Sequence, residues 1–201
     1  VVLAENDQPE ASRLHVFTAD AQGKQLKLAQ QIPLGGWVTT PMAVSGSRLV
    51  VATDRGGIYV FEAREQSPEP LVALAQRPVT GDAPKERFVS AREGRILVAD
   101  DRLTLFELQA ARGRLDPRWV EQPDLLALQA PVITPTSVVS IGRPLHQATL
   151  RVAARKLDKG GAVWQAALQP LAAEPVPEQD NLVAVGALGD VFTVPAKSLA
   201  R

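Results

Sequence analysis

The sequence predicts an all-β protein, specifically a β-propeller of four-stranded antiparallel blades. Three observations support this prediction: a short apolar phrase recurs along the chain, a second apolar run precedes each copy, and turn-forming residues separate the runs. No long stretch shows the 3.6-residue periodicity and the end caps of a helix. A repeat of roughly 45 residues is typical of one propeller blade.

Phenylalanine marks the recurring phrase, as in "RLHVFTA", "GGIYVFEA", "RLTLFEL" and "GDVFTVPA". Four of the five Phe residues are Phe17, Phe61, Phe106 and Phe192, and Val152 occupies the same place in "ATLRVAARK", so the successive spacings are 44, 45, 46 and 40 residues. We expect this residue to lie on the third strand of each blade and to pack between blades. The copies predict one domain, 1–201, with repeat units at approximately 1–34, 35–80, 81–124, 125–173 and 174–201.

The neighbouring runs supply the other strands, because they are short, rich in Val, Ile and Leu, and bounded by Gly, Asp and Pro. Second strands are predicted at 1–6, 48–54, 95–101, 137–143 and 181–187. Outer strands are predicted at 24–32, 70–79, 118–122 and 162–168, and first strands at 37–44, 86–92, 129–135 and 174–179. The run "LLALQAP" (125–131) fits either a strand or loop or a helical turn.

The net charge and the length of the apolar runs limit the kinds of molecule that the chain is expected to bind. The formal net charge is +0 and the pI is about 6.9, whereas a protein that binds duplex nucleic acid usually carries a basic excess. No apolar run is long enough to span a bilayer. The chain begins with Val1 rather than Met, so we expect either a removed leader or a piece of a longer protein. These features predict no nucleic-acid partner and no membrane span.

The residues that carry chemistry do not form a catalytic pattern. The chain has no Cys and two His residues, His15 and His146, which are too few and too far apart for a zinc site. The adjacent acids Asp100 and Asp101 fall between two strands, where Asp forms turns. No nucleophile elbow or phosphate-binding glycine motif is present. We therefore predict no catalytic, cofactor-binding or metal-binding residues, and favour a non-catalytic module over an enzyme.

Several segments resemble the repeat of the pyrroloquinoline-quinone-like (PQQ-like) propeller family, G-x-L-Y-A-L-D-A-x-T-G-K-x-L-W. The matching segments are "HVFTADAQGKQLKL" (15–28), "DRGGIYVFEA" (54–63) and "DKGGAVW" (158–164), with Trp164, and similarly Trp119, at the tryptophan position. The family includes quinone-dependent dehydrogenases and non-enzymatic relatives such as the lipoprotein of the outer-membrane β-barrel assembly machine. The absence of Cys and of an acidic cluster favours the non-enzymatic branch.

The resemblance implies a protein–protein interaction scaffold and a bacterial, periplasmic or otherwise exported, setting. Two other functions stay open, a segment of a PQQ-dependent dehydrogenase and a sensor module of a signalling kinase. In the predicted strand count, the first copy starts at its second strand and the fifth stops after its third. This count indicates a segment of a larger propeller, and a closed five-bladed ring is the alternative.

Four residues are candidates for an interaction rim. Arg55, Arg102 and Arg143 are each predicted in the loop between second and third strands, and such loops emerge on one face of a propeller. Trp37 is predicted at the entry to a first strand, where Trp either packs between blades, the role we favour, or anchors a partner. Exposed arginines are ordinarily solvated and have no binding role, and this is the default expectation for the three arginines. The alternative hypothesis is that this rim binds acidic protein loops or glycans.

Overall fold

The structure is a computed structural model that describes residues 1–20, 22–65, 67–80, 83–121, 125–144, 149–168, 176–178, 181–186 and 191–195. In these residues the regular structure is β-strand, apart from one 3₁₀ turn at Ala110–Arg112. The strands are β1 (Val2–Gln8), β2 (Ala11–Ala19), β3 (Leu26–Gly35), β4 (Ala43–Ser45), β5 (Arg48–Ala52), β6 (Ile58–Ala63), β7 (Leu71–Arg77), β8 (Phe88–Arg92), β9 (Arg95–Ala99), β10 (Leu103–Gln109), β11 (Arg114–Glu121), β12 (Leu125–Ala127), β13 (Val132–Ile133), β14 (Ser137–Pro144), β15 (Leu150–Lys156), β16 (Ala162–Leu168), β17 (Val176–Glu178), β18 (Asn181–Val185) and β19 (Val191–Pro195).

These strands form sheets of consecutive strands, which we number in chain order. Sheet 1 is β1-β2-β3, sheet 2 is β4-β5-β6-β7, sheet 3 is β8-β9-β10-β11, sheet 4 is β12-β14-β15-β16 with β13 also paired to β14, and sheet 5 is β17-β18-β19. Neighbouring strands are antiparallel in the pairings of sheets 1, 2, 4 and 5. The all-β prediction with four-stranded antiparallel repeats is therefore confirmed.

The chain divides into two compact units. Unit 1 comprises Val1–Ile96 and Phe106–Pro117, and unit 2 comprises Leu97–Leu105 and Arg118–Arg201. In unit 1, Leu14 and Val16 of sheet 1 pack with Val51 and Phe61 of sheet 2 in one buried cluster. Alternate side chains of a strand point to opposite faces, so β2 buries Leu14 and Val16 on the face that meets sheet 2.

Unit 2 contains two buried clusters that share strand β14. Val138 packs with Leu97 and Leu105, whereas Val139 belongs to a second cluster with Val152. Consecutive residues of β14 therefore serve cores on its two faces, as expected for a strand covered on both sides. This explains why apolar and polar residues do not alternate strictly in "SVVSIGR", where Val138 and Val139 are adjacent.

The repeated Phe occupies the predicted strand type in each copy. Phe61 and Phe106 are almost completely buried, and the guanidinium of Arg77 lies 5.3 Å from the ring centre of Phe106. Phe17 is half-buried and stacks on His15, with ring centroids 6.4 Å apart. Phe61 packs between sheets 1 and 2 as expected, since its cluster contains residues of both sheets.

Each of three outer strands forms a hydrogen bond to the sheet that follows it. The Gln30 carboxamide of β3 donates to the Leu71 carbonyl of β7 and accepts from the Leu71 N–H, at 2.9 and 3.0 Å. Gln76 N–H of β7 donates at 3.4 Å to the carbonyl of Gly113, which precedes β11. Trp119 Nε1–H of β11 donates at 2.9 Å to the carbonyl of Leu157, which follows β15. The residues and the partner segments differ from one sheet to the next.

A β-bulge also recurs where the third strand meets the outer strand. The register shifts between Val16 and Phe17, between Val60 and Phe61, and between Ala154 and Arg155. A bulge inserts one extra residue and increases the local twist of the pair. The shift directly precedes the repeated Phe in sheets 1 and 2, whereas in sheet 4 it lies two residues beyond Val152, the equivalent of that Phe.

Two predicted strands differ from the structure. The first strand predicted at 37–44 is reduced to Ala43–Ser45, because the residues before it bond to side chains and Pro41 has no N–H to donate. The segment 125–131 contributes β12 at Leu125–Ala127, and β13 follows at Val132–Ile133 after an interruption. The inner strand of sheet 4 is therefore split into two pieces, both paired to β14.

Candidate interaction surface

Trp37 is an exposed aromatic residue that unit 1 holds at three points. Its main-chain N–H donates to Asp54 Oδ1 at 2.7 Å, and its carbonyl accepts from the Asp54 N–H at 2.8 Å. Its indole Nε1–H donates to the Gln8 carbonyl at 2.9 Å. The residue is nevertheless 42% exposed, although it is bonded both to Gln8 of β1 and to Asp54, which follows β5. Trp37 presents a fixed apolar surface to solvent.

Arg55 lies beside this aromatic residue, in the turn between β5 and β6 as predicted. Its guanidinium forms an ion pair with Glu10, whose carbonyl accepts the Gly36 N–H at 2.7 Å. The Arg55 carbonyl accepts the Thr80 N–H at 2.9 Å. The structure therefore brings two of the predicted rim residues, Trp37 and Arg55, to one surface of unit 1, with Glu10 as an acidic neighbour that the sequence did not indicate.

Polar side chains, a buried Ser12 and an exposed Asn6, support the backbone on either side of Trp37. Ser12 Oγ donates to the Gly36 carbonyl and accepts the Val38 N–H, both at 2.9 Å. Asn6 Nδ2–H donates to the Val38 carbonyl at 3.1 Å. These side chains replace the strand pairing predicted for 37–44. The sequence pattern did not single out Asn6 or Ser12, because each contact joins residues more than twenty positions apart.

Gly36 fits this arrangement because it has no side chain. Its φ is +82°, a left-handed conformation that favours glycine. A Cβ atom at this position would lie 2.7 Å from Thr53 Oγ1 and 2.9 Å from Asp54 Oδ1. The close approach places the Trp37 N–H within reach of the Asp54 carboxylate.

Arg87 is a buried cation under the same turn. It is 4% exposed, its Nη1–H reaches the Thr53 carbonyl at 3.4 Å, and its own carbonyl accepts Thr40 Oγ1–H at 2.6 Å. A buried guanidinium is tolerated where hydrogen bonds satisfy it. Arg87 therefore supports the turn that presents Arg55, a role that no periodic pattern in the sequence indicates.

Arg102 lies in the β9–β10 turn of unit 2, as predicted. Its N–H donates to Asp100 Oδ1 at 2.8 Å, and its guanidinium is 3.9 Å from Asp101. This Asp-Arg turn confirms the turn role expected for Asp100. The Arg102 side chain is half-exposed and borders a pocket of unit 2 that Gly142 and Ser140 also line.

The predicted position of Arg143 is wrong. Arg143 lies inside β14 and pairs with Leu126 of β12, because β12 extends the pairing of β14 as far as Pro144. Side chains alternate along a strand, so Arg143 and Gly142 point to opposite faces of sheet 4. Arg143 is exposed, but it does not share the pocket with Arg102. His146 lies outside the described residues.

Among the described residues, no group of three or more His, Asp or Glu side chains is arranged to hold a metal ion. His15 instead bonds Glu5 Oε2 through Nε2 at 2.7 Å, and Gln31 Nε2 lies 3.2 Å from its Nδ1. Within the same described ranges, no helix has the length and apolar character needed to cross a membrane.

The repeated four-stranded antiparallel sheets define the class of protein as all-β with the fold of a β-propeller. No protein-family model and no curated protein sequence matches the chain. The chain is similar to the crystal structure of BamB from Moraxella catarrhalis, with a TM-score of 0.65 and 11% identity, over 100% of this chain and 64% of that one. A europium-containing methanol dehydrogenase matches with a TM-score of 0.48 and 15% identity, over 72% of this chain and 28% of that one. At these identities the similarity to BamB shows the fold alone, and this chain spans 64% of the length of that neighbour.

Proposed function

We propose that this β-propeller is a non-catalytic scaffold that binds protein partners, and that it is one part of a longer, exported bacterial protein of the PQQ-like propeller family. The observation that carries the proposal is the fixed and exposed Trp37. Its main chain and its indole are both held by hydrogen bonds, yet the residue is 42% exposed. An aromatic side chain that is already ordered loses little conformational entropy on binding.

The surroundings of Trp37 suit a protein surface. Trp and Arg are the residue types most enriched in interface hot spots. Arg55 lies next in the chain to Asp54, which holds Trp37, and Val79 adds an exposed apolar residue in contact range of Gly35. An aromatic and an aliphatic residue with an Arg–Glu pair beside them resemble the composition of an interface core and its polar rim.

The comparison supports this class of function without identifying the partner. BamB is a PQQ-like β-propeller lipoprotein, and the similarity covers the whole of this chain. We extend from it the non-catalytic role, the protein partners and the exported location.

Site-specific cross-linking tests the proposal in the cells that produce the parent protein. A photoreactive benzoylphenylalanine is placed at Val79, which is exposed near Gly35, and the control position is Arg64, exposed at the other end of β6. We expect a discrete adduct with a second protein from position 79 and none from position 64. Because Trp37 supplies the apolar contact, Trp37→Ala is expected to reduce the adduct at least about tenfold, the loss of a hot-spot residue.

Charge reversal separates a partner surface from a solvated one. The variant Arg55→Glu is expected to weaken the adduct, whereas Arg64→Glu leaves it unchanged. An adduct that survives both Arg55→Glu and Trp37→Ala would contradict the proposal. Equal adducts from positions 79 and 64 would contradict it as well, because they indicate non-specific contact.

A further inference from the structure

We infer that the open edge of β1 binds an extended segment of a partner protein as an additional antiparallel strand, with alternate apolar side chains of that segment directed at Val44. The inference rests on the proposed scaffold function and names a second contact surface and the kind of segment that it recognises. It is carried by the strand order of sheet 1, by the direction of the main-chain groups in β1 and by the exposure of Val44.

Among the described residues, sheet 1 has no strand on the free side of β1. In sheets 2 and 3, β4 and β8 lie beside the second strand, whereas β1, the second strand of sheet 1, pairs only with β2. In sheet 4 the same position is filled by β12 and β13. The other sheets therefore show that an extended strand fits the position that sheet 1 leaves open.

The main chain of β1 presents hydrogen-bond donors and acceptors at this edge. Val1 and Phe17 exchange both hydrogen bonds, at 2.8 and 2.9 Å. Bonded and non-bonded pairs alternate along an antiparallel ladder, so Val2 and Ala4 belong to the non-bonded pairs. Their N–H and C=O groups therefore point away from β2, toward the open position. Main-chain groups two residues apart along one strand match those of a second extended segment.

Val44 provides an apolar side chain next to the same edge. Val44 of β4 pairs with Leu49, which belongs to the buried cluster between sheets 1 and 2. Residues opposite each other in a ladder project to the same face of a sheet, so Val44 projects toward sheet 1. It is nevertheless 71% exposed, whereas Leu49 is 8% exposed. Val2 packs on this cluster and Ala4 projects to the same face, so an added strand would place alternate side chains over Val44.

The other end of β1 is protected against such pairing. The Asn6 carboxamide donates to the Val38 carbonyl at 3.1 Å and accepts the Val38 N–H at 3.3 Å. The register of β1 also shifts between Glu5 and Gln8. Covering segments and bulges are devices that prevent edge strands from pairing with other chains. In the described residues, Val2–Ala4 has neither device, so we assign the binding to these three residues.

The experiment measures binding of a strand-like probe to the ¹⁵N-labelled chain by amide chemical shifts. The probe is N-acetyl-Thr-Val-Thr-Val-Thr-amide, whose two Val residues can pair with Val2 and Ala4 in antiparallel register. We expect saturable shifts confined to the amides of 2–5 and 43–45.

Two N-methylated probes test whether main-chain pairing is the mode of binding. N-methylation of both Val residues removes the donors that face β1, so it should weaken binding about tenfold or more. N-methylation of the central Thr, whose N–H faces away from β1 in the same register, should weaken binding less than about threefold. Equal affinities of the two N-methylated probes, shifts spread over the surface, or no shifts would overturn the inference.

A variant at the apolar contact tests the position of the probe. Val44→Asp should weaken binding about threefold or more, because it places a charge where the Val side chains of the probe pack. Val120→Asp is the matched control, since Val120 is a 52% exposed residue of β11, and it should leave the affinity unchanged. Both positions are exposed, so thermal stability should change little in either variant. Equal affinities of the two variants would overturn the inference.

Cross-linking in the cells that produce the parent protein identifies the source of the strand. Benzoylphenylalanine in place of Val44 should form a discrete adduct with a second protein. A cross-link confined to the parent chain would overturn the inference, because the parent would then supply the strand itself.

The two proposals fail in different experiments. If the probe binds as expected and position 44 gives a specific adduct, but positions 79 and 64 give equal adducts, the role proposed for Trp37 fails and the edge of β1 remains a binding site. If position 79 gives a specific adduct but the two N-methylated probes bind equally, the scaffold proposal stands and the inference about β1 fails.

Discussion

Asp54 and the main chain of Trp37 are joined by two hydrogen bonds. The Asp54 carboxylate accepts the Trp37 N–H through Oδ1 at 2.7 Å, and the main-chain N–H of Asp54 donates to the Trp37 carbonyl at 2.8 Å. Asp54 is buried, and Trp37 belongs to the segment that replaces a predicted strand. The side chain and the main chain of Asp54 together thus provide the two bonds that a paired strand would otherwise make to Trp37.

Replacing Asp54 should therefore loosen Trp37 as well as lower stability. Asp54→Ala leaves the Trp37 N–H without its acceptor, so we expect the free energy of unfolding to fall by about 1–3 kcal/mol. Asp54→Asn retains an oxygen acceptor and should cost less. Urea unfolding measures the stability, and the anisotropy of Trp fluorescence measures the mobility of the indole. An Asp54→Ala protein as stable as Asp54→Asn would contradict this assignment.

Gly36 should tolerate no side chain. A methyl group would approach the Thr53 hydroxyl to 2.7 Å in a backbone conformation with a φ of +82°. Gly36→Ala should therefore destabilise the protein by about 1–3 kcal/mol, the cost of a strained left-handed residue. Gly46→Ala is the matched control, since its φ is +61° but no atom lies within 4 Å of the added carbon. A smaller loss for Gly36→Ala than for Gly46→Ala, measured by thermal unfolding, would show that the close contact relaxes.

The sequence predicted the repeat, the strands and the turns because these depend on local patterns. The apolar run 48–54 became β5, and the Asp and Gly residues after it formed the expected turn. The Phe positions depend on a spacing that can be read directly from the chain. The PQQ-like resemblance added a fold with which the BamB structure agrees.

The candidate surfaces were harder to predict because they depend on contacts between distant residues. Ser12 reaches Gly36 and Val38, and Glu10 reaches Arg55, across different sheets or turns. The periodicity of the sequence also does not predict the split of the inner strand into β12 and β13, because "LLALQAP" is apolar except for Gln129 and shows no alternation. That split extends β14 through Arg143 and so removes this arginine from its predicted loop.

The two faces of sheet 1 should differ strongly in their tolerance of substitution. Leu14 is fully buried among residues of sheets 1 and 2, whereas Leu3 of β1 is 56% exposed. Leu14→Ala should cost about 2–5 kcal/mol, because it removes buried methyl groups and leaves a cavity. Leu3→Ala should change stability by no more than about 0.5 kcal/mol. Similar losses of stability in urea unfolding for the two variants would mean that the Leu3 face is covered in solution.

Trp119 and Trp164 provide a paired test of the tryptophan position of the repeat. Trp119 Nε1–H donates to the Leu157 carbonyl, and a Cβ atom on Gly160 would lie 2.9 Å from the Trp119 ring. Trp164 Nε1 is buried and has no partner among the described residues, although its ring packs on the second cluster of unit 2.

Phenylalanine retains an apolar ring but has no N–H donor, so the two substitutions should act in opposite ways. Trp119→Phe breaks the bond to Leu157 and should lower the free energy of unfolding by about 1–3 kcal/mol. Trp164→Phe removes an unsatisfied donor, which offsets the smaller ring, and should cost less than about 1.5 kcal/mol. Urea unfolding followed by far-ultraviolet circular dichroism compares them without relying on Trp fluorescence. A larger loss for Trp164→Phe than for Trp119→Phe would show that ring volume, rather than the indole hydrogen bond, determines stability at this position of the repeat.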